Sequence, residues 1–301
     1  MHDIKIIKEN PEKFDQLMSL RGVKPQSYQI IKMHNQYLEN LSKKELLQMK
    51  RNEISRDIGL ISKDKNKSEL SKLKEKVKEI KEKIQILEGN ITKLISDIEE
   101  KILVIPNIID KNTPKGNSEI FNEIVKKNGK LKKFEFEPKN HVFLGEKLGV
   151  INYEQAIKLS GSRFSVIKGD LALLSRALIT FMLEEHVNKN SYQEVIVPEL
   201  VKSDALYGTG QLPMFKSDLF QTSNDLWLIP TAEVCLTNLH RNEIIDMSSL
   251  PIRYTSFTNC FRSEAGSAGM DTQGLIREHQ FGKVELVSIT KPENSAKELE
   301  R

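Results

Sequence analysis

Three short segments in the last third of the chain are rich in side chains that bind charged ligands. The first is TAE at 231–233, which directly follows an apolar run that ends in Pro230. The second is FRSE at 261–264, and the third is REHQFGKVE at 277–285. An arginine binds carboxylates and phosphates through a planar, permanently charged fork, and a glutamate accepts hydrogen bonds from ammonium and hydroxyl groups. These segments therefore contain the candidate residues for chemistry.

The spacing within the segments predicts a β-hairpin. Side chains alternate between the two faces of a strand, so Arg262 and Glu264 are expected to point the same way. A glycine-rich loop at 265–274 follows, and KVE at 283–285 resumes a strand. The hairpin would place Arg262 and the carboxylates of Glu264 and Glu285 on one face. An isolated Arg-x-Glu pair on a strand is more often a surface ion pair, which the spacing alone leaves open.

The elements around this hairpin follow from the apolar patterns after residue 105. A helical spacing without Gly or Pro predicts a helix over 171–188. No GxGxxG or GxxxxGK[ST] motif occurs, and strands do not alternate regularly with helices. The pattern therefore favours an antiparallel α+β domain over a Rossmann or P-loop fold. The predicted strands are 133–137, 163–167, 194–198, 226–230 and 283–287.

The first third of the chain has the composition of long helices. Residues 26–105 contain no proline and almost no aromatic residue. Apolar residues from 70 to 98 recur in alternating steps of three and four, which is typical of a coiled-coil seam. A looser apolar stripe precedes them, and the polar segment 62–68, with Ser68 as an N-cap, separates the two. We therefore expect an antiparallel helical hairpin, the arm, from about 30 to 100. The two stripes are Ile31, Leu38, Leu47, Ile54, Ile58 and Ile61, and then Leu70, Leu73, Val77, Ile80, Ile84, Leu87, Ile91, Leu94 and Ile98.

The predicted arm is basic. Lys and Arg outnumber Asp and Glu by 16 to 12 over residues 41–101, and this surplus equals the formal net charge of +4 of the whole chain. A solvated coiled-coil face would explain the charges, and so would a rod that lies along a phosphate backbone. Composition alone leaves both interpretations open.

The overall composition limits the class of protein. A chain of 301 residues, with 38% hydrophobic and 29% charged residues, has room for two folded domains. No apolar run reaches the ~20 residues of a membrane span, and the N-terminus lacks the pattern of a signal or transit peptide. Two cysteines, Cys235 and Cys260, can make neither a disulfide framework nor a zinc site from cysteine alone. We expect a cytoplasmic protein.

The motifs together resemble those of bacterial-type seryl-tRNA synthetases, over essentially the whole chain. The longest string resembles the second signature motif of class II aminoacyl-tRNA synthetases in its serine-specific form. The helix at about 171–190, with the strand that ends at Pro198, is similar to the first class II motif, which forms the dimer interface in the family. The matching strings after the helical hairpin are IPN at 105–107, GTGQLPMF at 208–215, TAE at 231–233 and FRSEAGSAGMDTQGLIREHQFGKVE at 261–285.

This resemblance implies an α+β fold in which an antiparallel coiled-coil arm precedes a class II antiparallel β-sheet flanked by helices. It implies a tRNA-binding domain at 1–105, a linker at 106–125 and a catalytic domain at 126–301. The third class II motif would lie beyond Arg301, so we expect the C-terminal part of the catalytic domain to be missing and the chain to be an incomplete enzyme.

The resemblance also implies the reaction and its partners. Family members activate L-serine with ATP, accompanied by Mg²⁺, to seryl-adenylate. They then transfer serine to the 3′ end of tRNA(Ser), which has a long variable arm, and we expect tRNA(Sec) to be served as well. A homodimer is implied, and neither zinc nor another protein-bound metal is expected.

Individual residues acquire roles from the same resemblance. Arg262 matches the catalytic arginine that bridges serine and the α-phosphate, Glu264 matches the acceptor of the adenine amino group, and Phe281 matches the ring that stacks on adenine. The implied serine-binding residues are Thr231, Ala232, Glu233, Arg262 and Glu285. The implied ATP-binding residues are Arg262, Ser263, Glu264, Glu278 and Phe281. The implied tRNA-binding residues are Arg51, Arg56, Lys72, Lys76 and Arg277.

Two positions depart from the family pattern. Met270 stands where the family usually has an arginine, and Gln273 stands where it often has one, so the contacts of this loop with the tRNA acceptor end differ. Two other functions stay open at this point. One is a non-catalytic tRNA-binding form or paralogue, and the other is a coiled-coil interaction protein with a degenerate second domain.

Overall fold

The computed structural model describes residues 2–61, 67–267 and 274–301. The chain divides into two units, residues 1–129 and 130–301. Among the described residues, none of the helices combines the length and the apolar character that a membrane crossing requires.

The first unit is helical. Its helices are α1 (Ile4–Glu9), α2 (Pro11–Ser19), α3 (Ser27–Ile61) and α4 (Lys67–Leu103). Asp15 of α2 determines where α3 begins, because its carboxylate accepts hydrogen bonds from the N–H groups of Gln26 and Ser27, at 3.1 and 3.2 Å, and from the Ser27 hydroxyl at 2.6 Å. Such acceptors satisfy N–H groups that have no partner within the helix.

Helices α3 and α4 form the predicted antiparallel arm. Near its base, Lys101 of α4 donates a hydrogen bond to Gln29 of α3 at 3.4 Å. Further along, Lys44 of α3 forms an ion pair with Glu88 of α4 at 2.9 Å. Ile84, at the middle of the predicted heptads, is buried. The apolar residues that recur at this spacing on α4 therefore face α3, as a coiled-coil seam requires.

Two details of the arm differ from the prediction. Leu38 is 42% exposed, because the buried line of α3 starts at the fully buried Ile30 and continues one heptad later at Tyr37. Leu38 therefore lies beside the seam. The predicted turn falls largely on residues 62–66, which lie outside the described residues, and α4 has already begun when the chain reaches Ser68, which is therefore not an N-cap.

The second unit is built around a long β-hairpin. Its elements are α5 (His141–Lys147), α6 (Tyr153–Ser160), α7 (Gly169–Asn190), β1 (Gln193–Glu194), β2 (Leu200–Val201), α8 (Ser203–Gly208), β3 (Trp227–Leu228), α9 (Glu233–Asn238), β4 (Ile252–Phe261), β5 (Gln280–Ile289) and α10 (Ser295–Glu300). Strands β4 and β5 pair antiparallel over ten residues, from Ile252 opposite Ile289 to Phe261 opposite Gln280. Strand β1 adds a short parallel pair on β4, and β2 and β3 form a separate antiparallel pair.

The predicted elements of this unit vary in accuracy. The helix at 171–188 lies within α7, and the strand at 283–287 lies within β5. Of the strand predicted at 194–198 only Glu194 lies in a strand, β1, and of the strand predicted at 226–230 only Trp227 and Leu228 do, as β3. Pro230 lacks the N–H group needed to continue the ladder of β3.

Two predicted strands are wrong. Residues 133–137 alternate in hydrophobicity but are exposed and form no strand. Residues 163–167 contribute only an isolated bridge, from Ile167 to Ile151. In both cases, alternation without a partner strand is not enough to form a ladder.

An apolar core supports the start of α9. Trp227 lies in this core and donates its indole N–H to the Ser203 hydroxyl at 2.9 Å. Ile229 and Val234, which flank the TAE segment at 231–233, are fully buried. The TAE segment is therefore anchored on both sides. The core consists of Val201, Leu206, Leu212, Leu219, Trp227, Ile229, Val234 and Cys235.

The arm offers a matched pair of isoleucines for testing the seam. Ile84 is 6% exposed and Ile86, two residues later on α4, is 65% exposed. We expect Ile84→Ala to destabilise the arm by about 2–4 kcal/mol, because it leaves a cavity in the seam. Ile86→Ala should change stability by less than about 0.5 kcal/mol. Hydrogen exchange of the arm amides measures both, and equal protection in the two variants would contradict the seam.

Candidate active site

The β4–β5 hairpin positions most of the predicted site residues. In its register Phe281 lies opposite Cys260, and Glu285 lies opposite Ser256. Side chains two residues apart share a face of a strand, so Phe281, Lys283 and Glu285 form one row along β5. The hairpin therefore lines up an aromatic ring, a lysine and a carboxylate.

Arg262 follows β4 directly and lines a cavity of about 510 Å³. Its guanidinium lies 5.1 Å from the centroid of the Phe281 ring, a cation–π arrangement. Its Nε donates a hydrogen bond to the carbonyl oxygen of Pro230 at 3.4 Å. The guanidinium is thus held between the TAE segment and β5. The cavity is lined by Gln211, Phe215, Asp218, Leu219, Pro230, Thr231, Arg262, Glu264, Gly266 and Arg277.

Thr231, Lys283 and Glu285 form one hydrogen-bonded cluster beside this cavity. The Thr231 hydroxyl donates to Oε2 of Glu285. Nζ of Lys283 donates to Oγ1 of Thr231 at 2.8 Å and also contacts Oε2 of Glu285. Thr231 is 4% exposed, so the cluster is largely shielded from water on that side. Its geometry ties the TAE segment to β5.

Glu233 brings a second carboxylate to the cluster. Its N–H donates to Oγ1 of Thr231 at 3.2 Å, and Ala232 before it is fully buried. Partial burial and the nearby Glu285 carboxylate raise the pKa of Glu233, and Lys283 acts in the opposite direction. Burial and a like charge both disfavour an ionised carboxylate, so this site attracts cations.

Glu264 and Arg277 are joined across the base of the loop between β4 and β5. Nη1 of Arg277 lies 2.8 Å from Oε2 of Glu264. Strand β4 ends at Phe261, and Glu264 has a left-handed backbone with φ +53°. The expectation that Arg262 and Glu264 alternate along one strand is therefore wrong, although both line the cavity.

Asp218 holds the segment that leaves β4. Its backbone carbonyl accepts from the N–H of Ser263, and its Oδ1 accepts from the N–H of Ala265, both at 2.9 Å. Sequence reasoning missed Asp218, because no local pattern signals a contact between segments so distant along the chain. It also missed Lys283, which the alternation of Phe281, Lys283 and Glu285 could have indicated.

Glu278 lies elsewhere. It lines a second cavity of about 560 Å³ with Phe164, Ser165 and Phe281, and it does not line the cavity that contains Arg262. Burial raises the pKa of Glu278, and a hydrogen bond with Ser165 opposes that effect. Of the predicted ATP-binding residues, only Phe281 touches both regions, through its stacking on Arg262 and its place in the second cavity.

The predicted tRNA-binding residues fall into two groups. Arg56, Lys72 and Lys76 are exposed on the arm, whereas Arg51 is half-buried and donates from Nη2 to Asn52 at 3.2 Å. Arg277 belongs to the second unit. The departures at Met270 and Gln273 lie outside the described residues.

Comparison with known proteins gives concordant matches for both units. Residues 1–109 match the family model described as seryl-tRNA synthetase N-terminal domain. Residues 215–301 match the model described as tRNA synthetase class II core domain (G, H, P, S and T).

Curated relatives match the whole chain. It is 46% identical over 302 residues to a serine–tRNA ligase of Wolbachia pipientis subsp. Culex pipiens, and 46% identical over 301 residues to one of Brucella canis. Each match covers 100% of this chain and 70% of the relative.

Solved structures agree with these matches. The seryl-tRNA synthetase of Pyrococcus horikoshii complexed with ATP superposes with a TM-score of 0.84 at 33% identity, over 100% of this chain and 72% of that one. The cytoplasmic serine-tRNA ligase of Naegleria fowleri in complex with AMP shares the fold, with a TM-score of 0.79 at 24% identity, over 99% and 73% of the two chains.

The raised pKa of Glu233 has a consequence for stability. When the pKa of a carboxyl is higher in the folded than in the unfolded chain, the folded state becomes less stable as the pH rises above the unfolded-state pKa, about 4.3. We therefore expect Glu233→Gln to raise the melting temperature at pH 7 by about 1–3 °C and to leave it unchanged at pH 4. Scanning calorimetry at both pH values measures this. Glu184→Gln, at an exposed position of α7, controls for loss of charge, and an equal gain there would contradict the explanation.

Proposed function

The chain belongs to the seryl-tRNA synthetase family, and from this premise we propose that it activates L-serine with ATP and transfers it to the 3′ end of tRNA(Ser). The family and the class II fold predicted from the sequence are confirmed by the comparisons. The observation that carries the proposal for this chain is the position of Arg262. Its guanidinium lies over the ring of Phe281 and lines the same cavity as Thr231 and Glu264.

The first step requires positioning more than proton transfer. The serine carboxylate is already ionised at neutral pH, so it can attack the α-phosphorus of ATP without a general base. The new bond joins a serine oxygen to phosphorus, and pyrophosphate leaves. Negative charge develops on the α-phosphate, and a fixed arginine fork stabilises that charge. In this proposal Arg262 bridges the serine carboxylate and the α-phosphate and is the catalytic residue.

Serine recognition is assigned to the cluster at Thr231. The substrate offers an ammonium and a hydroxyl, and Glu233 and Glu285 are the acceptors beside the cavity. Thr231 and Ala232 provide the buried frame that holds both carboxylates. A buried acceptor left unpaired by alanine would disfavour that amino acid, which gives the site a basis for specificity.

The adenosine part of ATP is assigned to Glu264 and Phe281, together with Ser263, whose N–H donates to the backbone carbonyl of Asp218. Glu264 would accept from the adenine amino group and Phe281 would stack on the ring. Glu278 stays a proposed ATP residue, although it lines the second cavity. Among the described residues, no three His, Cys, Asp or Glu side chains come together to hold a metal ion. In the proposed reaction Mg²⁺ would accompany the ATP phosphates.

The arm is proposed to bind the long variable arm of tRNA(Ser), and by the same features tRNA(Sec). RNA helices are recognised mostly through backbone and shape, which suits a basic rod with few aromatic residues. Exposed Arg56, Lys72 and Lys76 support this role. Arg51 is half-buried, so we expect a smaller contribution from it.

A homodimer is proposed through α7. Leu174, Leu178 and Phe181 recur at helical spacing and are between 48% and 61% exposed. Exposed apolar residues in a row mark surfaces that bind other proteins. A second copy of the chain that packs along α7 would cover them.

The role of Arg262 is tested by Arg262→Lys. Lysine keeps the charge and loses the planar fork, so we expect serine-dependent ATP–pyrophosphate exchange to fall about 100-fold in kcat. Arg241→Lys, at an exposed position of the same unit, is the matched control. Exchange at the unmodified rate in the Arg262→Lys variant would remove Arg262 from its role, and a lack of exchange in an unmodified protein of the relatives' full length would overturn the proposed function.

The role of the arm is tested by the double substitution Lys72→Ala, Lys76→Ala. Each lost phosphate contact should reduce the slope of log affinity against log salt by roughly 0.7–0.9, and serine activation should not change. The control is Lys126→Ala, Lys127→Ala, which removes two exposed lysines that lie outside the arm. Filter binding of tRNA(Ser) across a salt series measures the slopes, and identical slopes in the two double variants would contradict this assignment.

A further inference from the structure

Lys283 occupies a central position in the candidate site. It lies on β5 between Phe281 and Glu285 and opposite the buried Thr258 of β4. Its Nζ reaches both Thr231 and Glu285. The proposed chemistry assigns no function to this lysine, although it is the cation that joins the TAE segment to β5.

Lys283 completes the hydrogen bonds of the Thr231 hydroxyl. A hydroxyl carries one proton and two lone pairs. One lone pair accepts from the N–H of Glu233 at 3.2 Å and the other accepts from Nζ of Lys283 at 2.8 Å. The proton must then point to Glu285, as it does. All three hydrogen-bonding positions of the hydroxyl are taken by protein groups in this structure.

The two contacts to Glu285 fall on the same oxygen. The Thr231 hydroxyl and Nζ of Lys283 both bind Oε2. The carboxylate is thereby fixed in rotation, with Oε1 as its second acceptor. The lysine thus helps to determine the orientation of the carboxylate.

We propose that Lys283 is a positioning residue for serine, which orients Glu285 through Thr231 and keeps its second oxygen available for the ammonium or hydroxyl of the substrate. This inference rests on the proposed function. It assigns Thr231 a part in holding Glu285. It also predicts that Lys283 affects the binding of serine and not that of ATP.

Three substitutions separate the parts of this role. Lys283→Met keeps the length of the chain and removes both charge and donor. We expect it to raise the KM for serine about 10- to 100-fold, the effect of losing a hydrogen bond to a charged group. The KM for ATP should stay within about threefold. Lys283→Gln keeps a donor for Thr231 without the charge. Its KM for serine should lie between those of the Met variant and the unmodified protein. Lys283→Arg should recover most of the serine affinity.

Steady-state ATP–pyrophosphate exchange with serine and ATP varied in turn gives these constants. Lys158→Met, at an exposed position of α6, is the matched control and should behave as the unmodified protein. An unchanged KM for serine in the Met variant would overturn the inference. So would a parallel rise of both KM values without recovery in the Arg variant, since that pattern indicates general support of the fold.

Two further outcomes are also decisive. If the Met variant does not fold, the Gln variant carries the test, because it retains the hydrogen bond that supports Thr231, and a KM for serine equal to that of the unmodified protein would overturn the inference. If an unmodified protein of the relatives' full length shows no serine-dependent exchange, the proposed function itself fails. The two failures are therefore distinguishable.

Discussion

The antiparallel pairing of β4 with β5 is the interaction on which the candidate site depends. A shift of this pairing by one residue would turn every side chain of β5 to the opposite face. In the register that the structure adopts, Phe281, Lys283 and Glu285 share one face over ten paired positions. The ring then lies under Arg262, and the lysine and carboxylate reach Thr231. The ladder itself performs no chemistry, yet it determines which charged side chains come into contact.

Hydrogen bonds just beyond the paired strands complete this arrangement. The Arg262 N–H donates to the carbonyl oxygen of His279, and Nδ1 of His279 donates to the carbonyl oxygen of Arg262, both at 2.9 Å. Because a carbonyl oxygen can only accept, this imidazole carries its proton on Nδ1. Asp218 holds the next residues from another part of the chain. The segment that carries Arg262 is therefore held by His279 and by Asp218, which favours a preorganised site.

Sequence patterns predicted well those features that depend on neighbours along the chain. The heptads of α4, the helix α7 and the long strand β5 depend on regular local spacing, and the structure contains all three. The strand at 133–137 failed because alternation does not reveal whether a partner strand exists. The pairing of Glu264 with Arg277 and the contact of Asp218 were not predictable, since they depend on the left-handed backbone after β4 and on long-range packing.

The charge balance of the site explains why its residues need such support. A site that binds an ammonium must hold negative charge before the substrate arrives, and two nearby carboxylates repel each other. Here Lys283 contacts the Glu285 carboxylate, and the hydroxyl of Thr231 donates to that carboxylate and accepts from the backbone N–H of Glu233. The fully buried Ile229 and Val234 on either side of the TAE segment prevent the repelling groups from moving apart. The apolar core and the β4–β5 ladder thus offset the repulsion between the two carboxylates.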